Sequence, residues 1–171
     1  LYQKSYTVQT EIEKVFQSTI TISEAYISFI SDNLDATKDE SEEFLDHLLY
    51  YEDNYIKNIA LIEETTIKYN YPHEENLTSI GIDLSTIEGQ RDSILYVKNN
   101  LEATFSGPIE LVQGGQAFII RIPILDGVNY WGQLSIVIDA DMFVSIINDE
   151  ATINNVNIKI LNEDSTKEVL L

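Results

Sequence analysis

The sequence contains no cysteine, which excludes disulfides and thiolate metal sites and leaves the redox compartment open. Basic residues are scarce. Ten Lys and Arg stand against 29 Asp and Glu, for a formal net charge of −19, so nucleic acid and anionic membrane surfaces are poor partners. Such a balance reads first as a solvated acidic surface. No run approaches the roughly 20 apolar residues that span a bilayer. The two histidines, His47 and His73, each lack a second histidine at ligand spacing, and His73-Glu74-Glu75 reads as a solvated loop. The acidic stretch from Asp32 to Glu40 lacks the glycine and spacing of a calcium loop. There is no G-x-S-x-G, P-loop or G-x-G-x-x-G, and no nucleophile–base or metal constellation, so neither enzymatic activity nor a cofactor is expected of this segment. The chain starts at Leu1 without an initiator Met or a signal peptide. It is therefore read as a fragment of a longer protein, with any membrane anchor outside it.

Proline and glycine are also missing from residues 1–31, which predicts one long helix. Val8, Ile12, Val15, Thr19, Ile22, Tyr26 and Phe29 alternate spacings of four and three, a heptad seam, with Phe16, Ile20, Ile27 and Ile30 as a second apolar stripe. The seam suits either a dimer stalk or one wide core face. Thr37 with Glu40 makes a capping box for a second helix that carries Phe44, Leu45, Leu48 and Leu49 and ends near Asp53-Asn54. Two strands follow, from Tyr55 and from Thr66, with a turn at Glu63-Glu64 and a stop at Pro72. Ser85 with Glu88 forms another capping box, opening a helix that carries Ile87, Ile94, Leu95 and Val97 and ends at Asn99-Asn100. Asp139 is an N-cap for a last helix with Met142, Phe143, Ile146 and Ile147 on one face. Asn154-Asn155 then turns the chain into a strand through Val156, Ile158 and Ile160.

The most sharply punctuated stretch is Leu101 to Asp139, three antiparallel strands separated by Gly114-Gly115 and Asp126-Gly127. Asp-Gly suits a type I′ turn. A meander with so few polar residues needs covering on both faces. The order of elements predicts an α+β fold, a PAS-like five-stranded antiparallel sheet with a long N-terminal stalk helix and packed helices. Residues 1–54 form the stalk and second helix, 55–140 the ligand-binding core, and 141–171 a C-terminal helix and the start of a membrane-proximal strand region.

The residue to explain is Arg121, embedded in Ile119-Ile120-Arg121-Ile122-Pro123. A buried guanidinium requires a carboxylate, carbonyls, water or an anionic ligand. Asp83 and Glu110 are the internal candidates; a bound anion is the alternative. Asp83 itself is either a cap or a ligand contact, and Tyr71, Phe105 and Phe118 are either core or pocket aromatics.

Several linked motifs then carry a family resemblance. Tyr71-Pro72, Ile80-Gly81-Ile82-Asp83-Leu84, Arg91, the run from Ser106-Gly107-Pro108 to Gly114-Gly115, Arg121-Ile122-Pro123-Ile124, Trp131-Gly132 and Val137-Ile138-Asp139 occur in this order. Over about Ile56 to Ile147 the chain resembles CHASE domains. The resemblance implies an extracytoplasmic sensory module, periplasmic or at the cell surface, of a bacterial membrane receptor; plant members are the cytokinin receptors. Histidine kinase, adenylate cyclase or diguanylate cyclase/phosphodiesterase domains follow such modules. It also implies flanking transmembrane helices and a homodimer through the N-terminal helix. By position it assigns Asp83, Phe105, Arg121 and Ser135 to the ligand site, to which Tyr71 and Phe118 are added as nearby aromatics. Arg121 stands where plant members have a threonine, so the expected ligand is a small polar molecule, anionic or zwitterionic. The alternative is an interaction or dimerisation module that binds no small molecule.

Overall fold

The structure is a computed structural model that describes residues 2–50, 55–110, 115–154, 160–161 and 168–169. Helix α1 (Tyr2–Asp32) is unbroken and about 46 Å long at 1.5 Å per residue. Its seam residues Val8, Val15, Ile22 and Tyr26 are buried in one cluster with strand residues. Thr19 and Ser23, also buried there, return their hydroxyls to the carbonyls of Val15 and Thr19, which removes the cost of burying them. The heptad seam therefore belongs to the domain's own core, and among the described side chains the large apolar residues left outside on α1 are Tyr6 and Ile20. Helix α2 (Lys38–Leu49) opens with the expected capping box: Thr37 Oγ1 accepts from the Glu40 N–H, and Glu40 Oε2 accepts from the Thr37 N–H at 2.8 Å. It stops at Leu49, short of Asp53-Asn54, which lie outside the described residues.

Strands β1 (Ile56–Glu63) and β2 (Thr66–Tyr71) form a hairpin. Its loop is Glu64-Thr65, one residue later than expected, because Glu63 still pairs with Thr66 and Glu64 takes the left-handed conformation at φ 55°. After Pro72 come two 3-10 turns, Glu74–Ser79 and Leu84–Thr86, and then helix α3 (Arg91–Asn100). The expected Ser85–Glu88 capping box does not form. The Asp83 carboxylate takes both the Ser85 N–H, at 2.9 Å, and the Ser85 hydroxyl, at 2.7 Å. Gly89, at φ 82°, then breaks the path before Arg91, so Ile87 lies outside the helix. The left-handed residue closing α3 is Leu101, at φ 58°, rather than an asparagine.

Strands β3 (Thr104–Glu110), β4 (Gln116–Asp126) and β5 (Asn129–Asp139) make the meander. Asp126 pairs with Asn129, so the central residues of the second turn are Gly127-Val128. Only Gly127 has positive φ, which excludes the type I′ turn expected on Asp126-Gly127. Of the first turn, Gly114 lies outside the described residues and Gly115 has φ 82°. Asp139 caps helix α4 (Ala140–Asn154), its Oδ1 accepting the Met142 N–H at 3.0 Å. Beyond it, β6 (Ile160–Leu161) pairs with β7 (Glu168–Val169); the rest of the expected Val156–Ile160 strand lies outside the described residues.

The five strands pair antiparallel in the order β2-β1-β5-β4-β3, a PAS-like α+β fold. Alternation along each strand divides the side chains between two faces. Ile59, Leu61, Tyr69, Phe118, Ile120, Ile124, Leu134, Ile136 and Ile138 join the main core with α1, α2 and α4. The other face carries smaller clusters, Ala60, Ile62, Ile67 and Ile94, and Ala117, Ile119 and Val137. It is covered by α3 and the 3-10 turns, and the cover is incomplete.

Candidate functional site

One row of side chains crosses that second face on all five strands. The register pairs Asn70 with Ala60, Ala60 with Ser135, Ser135 with Arg121, and Arg121 with Thr104. The middle of the row is small, Ala60 and Ser135, and the flanking positions are longer and polar. With strands about 4.8 Å apart, Asn70 and Arg121 stand on strands separated by roughly 14 Å. The chain after β2 bridges this trough without filling it and leaves a cavity of about 270 Å³. Its lining is Asn58, Ala60, Ile67, Asn70, Thr78, Ser79, Ile82, Leu84, Ile87, Gln90, Ile119, Arg121, Ser135 and Val137. The volume exceeds the roughly 150 Å³ that holds a benzene and approaches the lower end of ligand pockets, about 300 Å³.

One end of the cavity is neutral and polar. Asn58 donates to Asn70 Oδ1 at 2.8 Å, Asn70 donates to Ser79 Oγ at 2.9 Å, and the Ser79 hydroxyl donates to the Asn76 carbonyl at 2.7 Å. At the other end Arg121 is 1% exposed. It donates to Ser93 Oγ at 2.6 Å and, over a short contact, to Gln90 Oε1, both at the start of α3. Both partners are neutral. Its Nε has no hydrogen-bond partner, nor do the buried hydroxyls of its two row neighbours, Ser135 and Thr104. Among the described residues no carboxylate pairs with Arg121. Burial lowers its pKa to about 10, which leaves it charged at neutral pH.

The residues expected at the site separate by face. Arg121 and Ser135 line the cavity. Phe118 does not: three residues from Arg121 on one strand, it must point to the opposite face. There it lies parallel to Phe105, ring centres 5.5 Å apart, and meets Phe143 edge-on. Phe105, 52% exposed, also meets Phe16 of α1 edge-on. Tyr71 is on that side too, donating to Asp46 of α2 at 2.8 Å. Asp83 lies between lining residues Ile82 and Leu84 but is not itself part of the lining. Its carboxylate is held below the ordinary range by the hydroxyls of Ser85 and Thr65 and by the Ser85 N–H. The idea that Asp83 or Glu110 neutralises Arg121 is therefore overturned. Asn58, Asn70, Thr78, Ser79, Gln90 and Ser93 were missed. Asn70, alternating with Tyr69 and Tyr71, carried a readable sign in its polarity.

The family model of the CHASE domain matches residues 21–171. The chain belongs to the CHASE domain family. A search of curated proteins finds no match for this CHASE domain. Among solved structures it is similar to an extracellular ligand-binding receptor from Desulfohalobium retbaense, with TM-score 0.71 and 21% identity over 92% of this chain and 28% of that one. The ligand-binding domain of the Pseudomonas aeruginosa amino acid chemoreceptor PctC, in complex with GABA, gives TM-score 0.68 and 15% identity over 99% of this chain and 73% of that one. A Campylobacter jejuni chemoreceptor Tlp3 domain with L-valine gives 0.63 and 10%, over 85% and 60%. The CHASE domain thus spans well under a third of the first of these proteins, and at such identities the likeness is one of fold. No helix among the described residues is long and apolar enough to cross a membrane.

Proposed function

We propose that this CHASE domain is the extracytoplasmic ligand-sensing part of a bacterial transmembrane signalling protein, and that its ligand is a small molecule presenting an anionic group to Arg121. The observation that carries this reading is a guanidinium 1% exposed at a cavity wall, held by two neutral side chains and met by no carboxylate among the described residues. A buried charge so poorly compensated is a standing cost to the fold, and an incoming anion removes it. Ser135, with a free buried hydroxyl beside Arg121, supplies a further contact. Membership of the CHASE family and a fold shared with ligand-binding domains of chemoreceptors support the same role. The output enzyme, a histidine kinase or a diguanylate cyclase/phosphodiesterase, and the membrane anchors are assigned to other parts of the full-length protein. Homodimerisation through α1 would use the outward side bearing Tyr6 and Ile20, since the seam is spent on the core.

A thermal-shift screen of small carboxylates and amino acids tests the site. A ligand at 100 times its dissociation constant adds about 2.7 kcal/mol, or roughly 5–11 °C in Tm for a domain of this size. The expected hit shifts the wild type and leaves an Arg121→Met variant, folded by circular dichroism, unmoved. Equal shifts in both proteins would remove Arg121 from the site. Failure of every anion would favour an interaction module with no small-molecule ligand.

A further inference from the structure

Among the described residues, Arg121 is the one ionisable side chain in the cavity lining. We infer that the ligand is a small monocarboxylate without an ammonium group, an acid or hydroxy acid with an apolar body, rather than an α-amino acid. The inference rests on the sensor reading and concerns what else the ligand carries. A carboxylate at Arg121 brings the net charge inside the cavity to zero. An amino acid brings its own cation as well, and the cavity then holds an excess positive charge with no acidic side chain among the described residues of its lining. Desolvating an ammonium without a counter-charge is among the largest penalties a buried site can impose.

Asp83, which stands between the lining residues Ile82 and Leu84, does not provide that counter-charge. Its Oδ1 accepts both the N–H and the hydroxyl of Ser85 in the turn beside the cavity, and drawing the carboxylate inward would undo that turn. Between the polar groups the walls are aliphatic, Ile67, Ile82, Leu84, Ile87, Ile119 and Val137, which suits an unbranched or branched hydrocarbon body. At the far end Asn58, Asn70 and Ser79 form a directed hydrogen-bond chain of neutral groups, which suits a hydroxyl or carbonyl there but offers no anion. Three of the five guanidinium N–H donors remain after Ser93 and Gln90 take theirs. With the free Ser135 hydroxyl they are sufficient to satisfy both oxygens of one carboxylate.

The test is calorimetric titration of the chain with matched pairs in which hydrogen or hydroxyl stands in place of the ammonium: butanoate and GABA, and 2-hydroxy-3-methylbutanoate and L-valine, each repeated on Arg121→Met. The expected result is binding by at least one ammonium-free acid, at least tenfold weaker binding by its amino partner, and loss of both in the variant. Amino acids binding as well as or better than their partners, with loss in Arg121→Met, would overturn the inference and leave the sensor reading standing. Binding that persists in the variant, or no binding by any of the four, would count against both.

Discussion

Arg121→Met should make the ligand-free domain more stable. Burial lowers the guanidinium pKa from 12.5 to about 10, and at about 1.4 kcal/mol per pKa unit this sets about 3 kcal/mol against the charged form in the folded protein. The folded value lies below the unfolded one, so the folded state holds its proton less tightly. The penalty is therefore complete below pH 10 and relieved only between about pH 10 and 12.5. At neutral pH it is present in full. Methionine keeps most of the apolar stem and removes the charge. Against this, Ser93 and Gln90 lose a donor. Both are only half-buried, so water can replace it at about 0.5–1 kcal/mol each. The net gain is about 1–2 kcal/mol, a rise of roughly 2–8 °C in Tm. Urea unfolding followed by the fluorescence of Trp131, the single tryptophan, measures it directly. A loss of 1 kcal/mol or more without ligand would refute the reasoning, because Arg121 would then be the bracket that fastens α3 to the sheet.

Gly132 stands opposite Glu63, and a Cβ there would collide with the carbonyl of Ile62. Gly132→Ala should therefore part β1 from β5 and cost more than about 3 kcal/mol, as an overpacked core does, with near-native unfolding in urea the contrary result. Tyr26 is fully buried and its pKa is pushed up to about 12 by that burial. The stability tied to this proton, about 3 kcal/mol, is complete below pH 10 and lost as pH rises through 12. Unfolding free energies measured from pH 8 to 11.5 should fall less steeply for Tyr26→Phe than for wild type, and identical slopes would exclude this origin. Thr37→Ala removes the side-chain arm of the α2 capping box, the Oγ1 that accepts the Glu40 N–H, and leaves the backbone arm to Glu40 in place; it should lower stability by about 1 kcal/mol. A change within error would mean that α2 is held by its packing alone.

The fold was legible where one periodicity dominates and illegible where two local signals compete. The uninterrupted helix of α1, the alternation in β2, the apolar runs of β4 and β5, and the Thr37 and Asp139 caps each carry one local signal, and each element formed. Ser85 could accept from Glu88 as an N-cap or donate to Asp83 two residues back. The bond over the shorter loop is the one present, and Gly89 at positive φ separates it from the helix. At the site, the chemistry of Arg121 was visible as a charge in an apolar run, and alternation alone would have sent Phe118 to the other face. What the sequence does not display is the row Asn70–Ala60–Ser135–Arg121–Thr104, because its members lie on five strands and meet only through register. Gln90 and Ser93 were invisible for a related reason, since they face Arg121 only once α3 begins at Arg91.

Strand β5 passes beneath the cavity at Ser135 and ends at Asp139, whose carboxylate is the N-cap of α4. Four residues of extended chain, about 14 Å, join the two points with no intervening loop. Helix α4 in turn packs along α1. A strand is stiff along its length and a loop is not, so the route from the cavity floor to the helical layer is a push-rod rather than a tether. Displacement at Ser135 has no flexible hinge to dissipate it before it reaches the first turn of α4 and, through it, the longest helix of the domain.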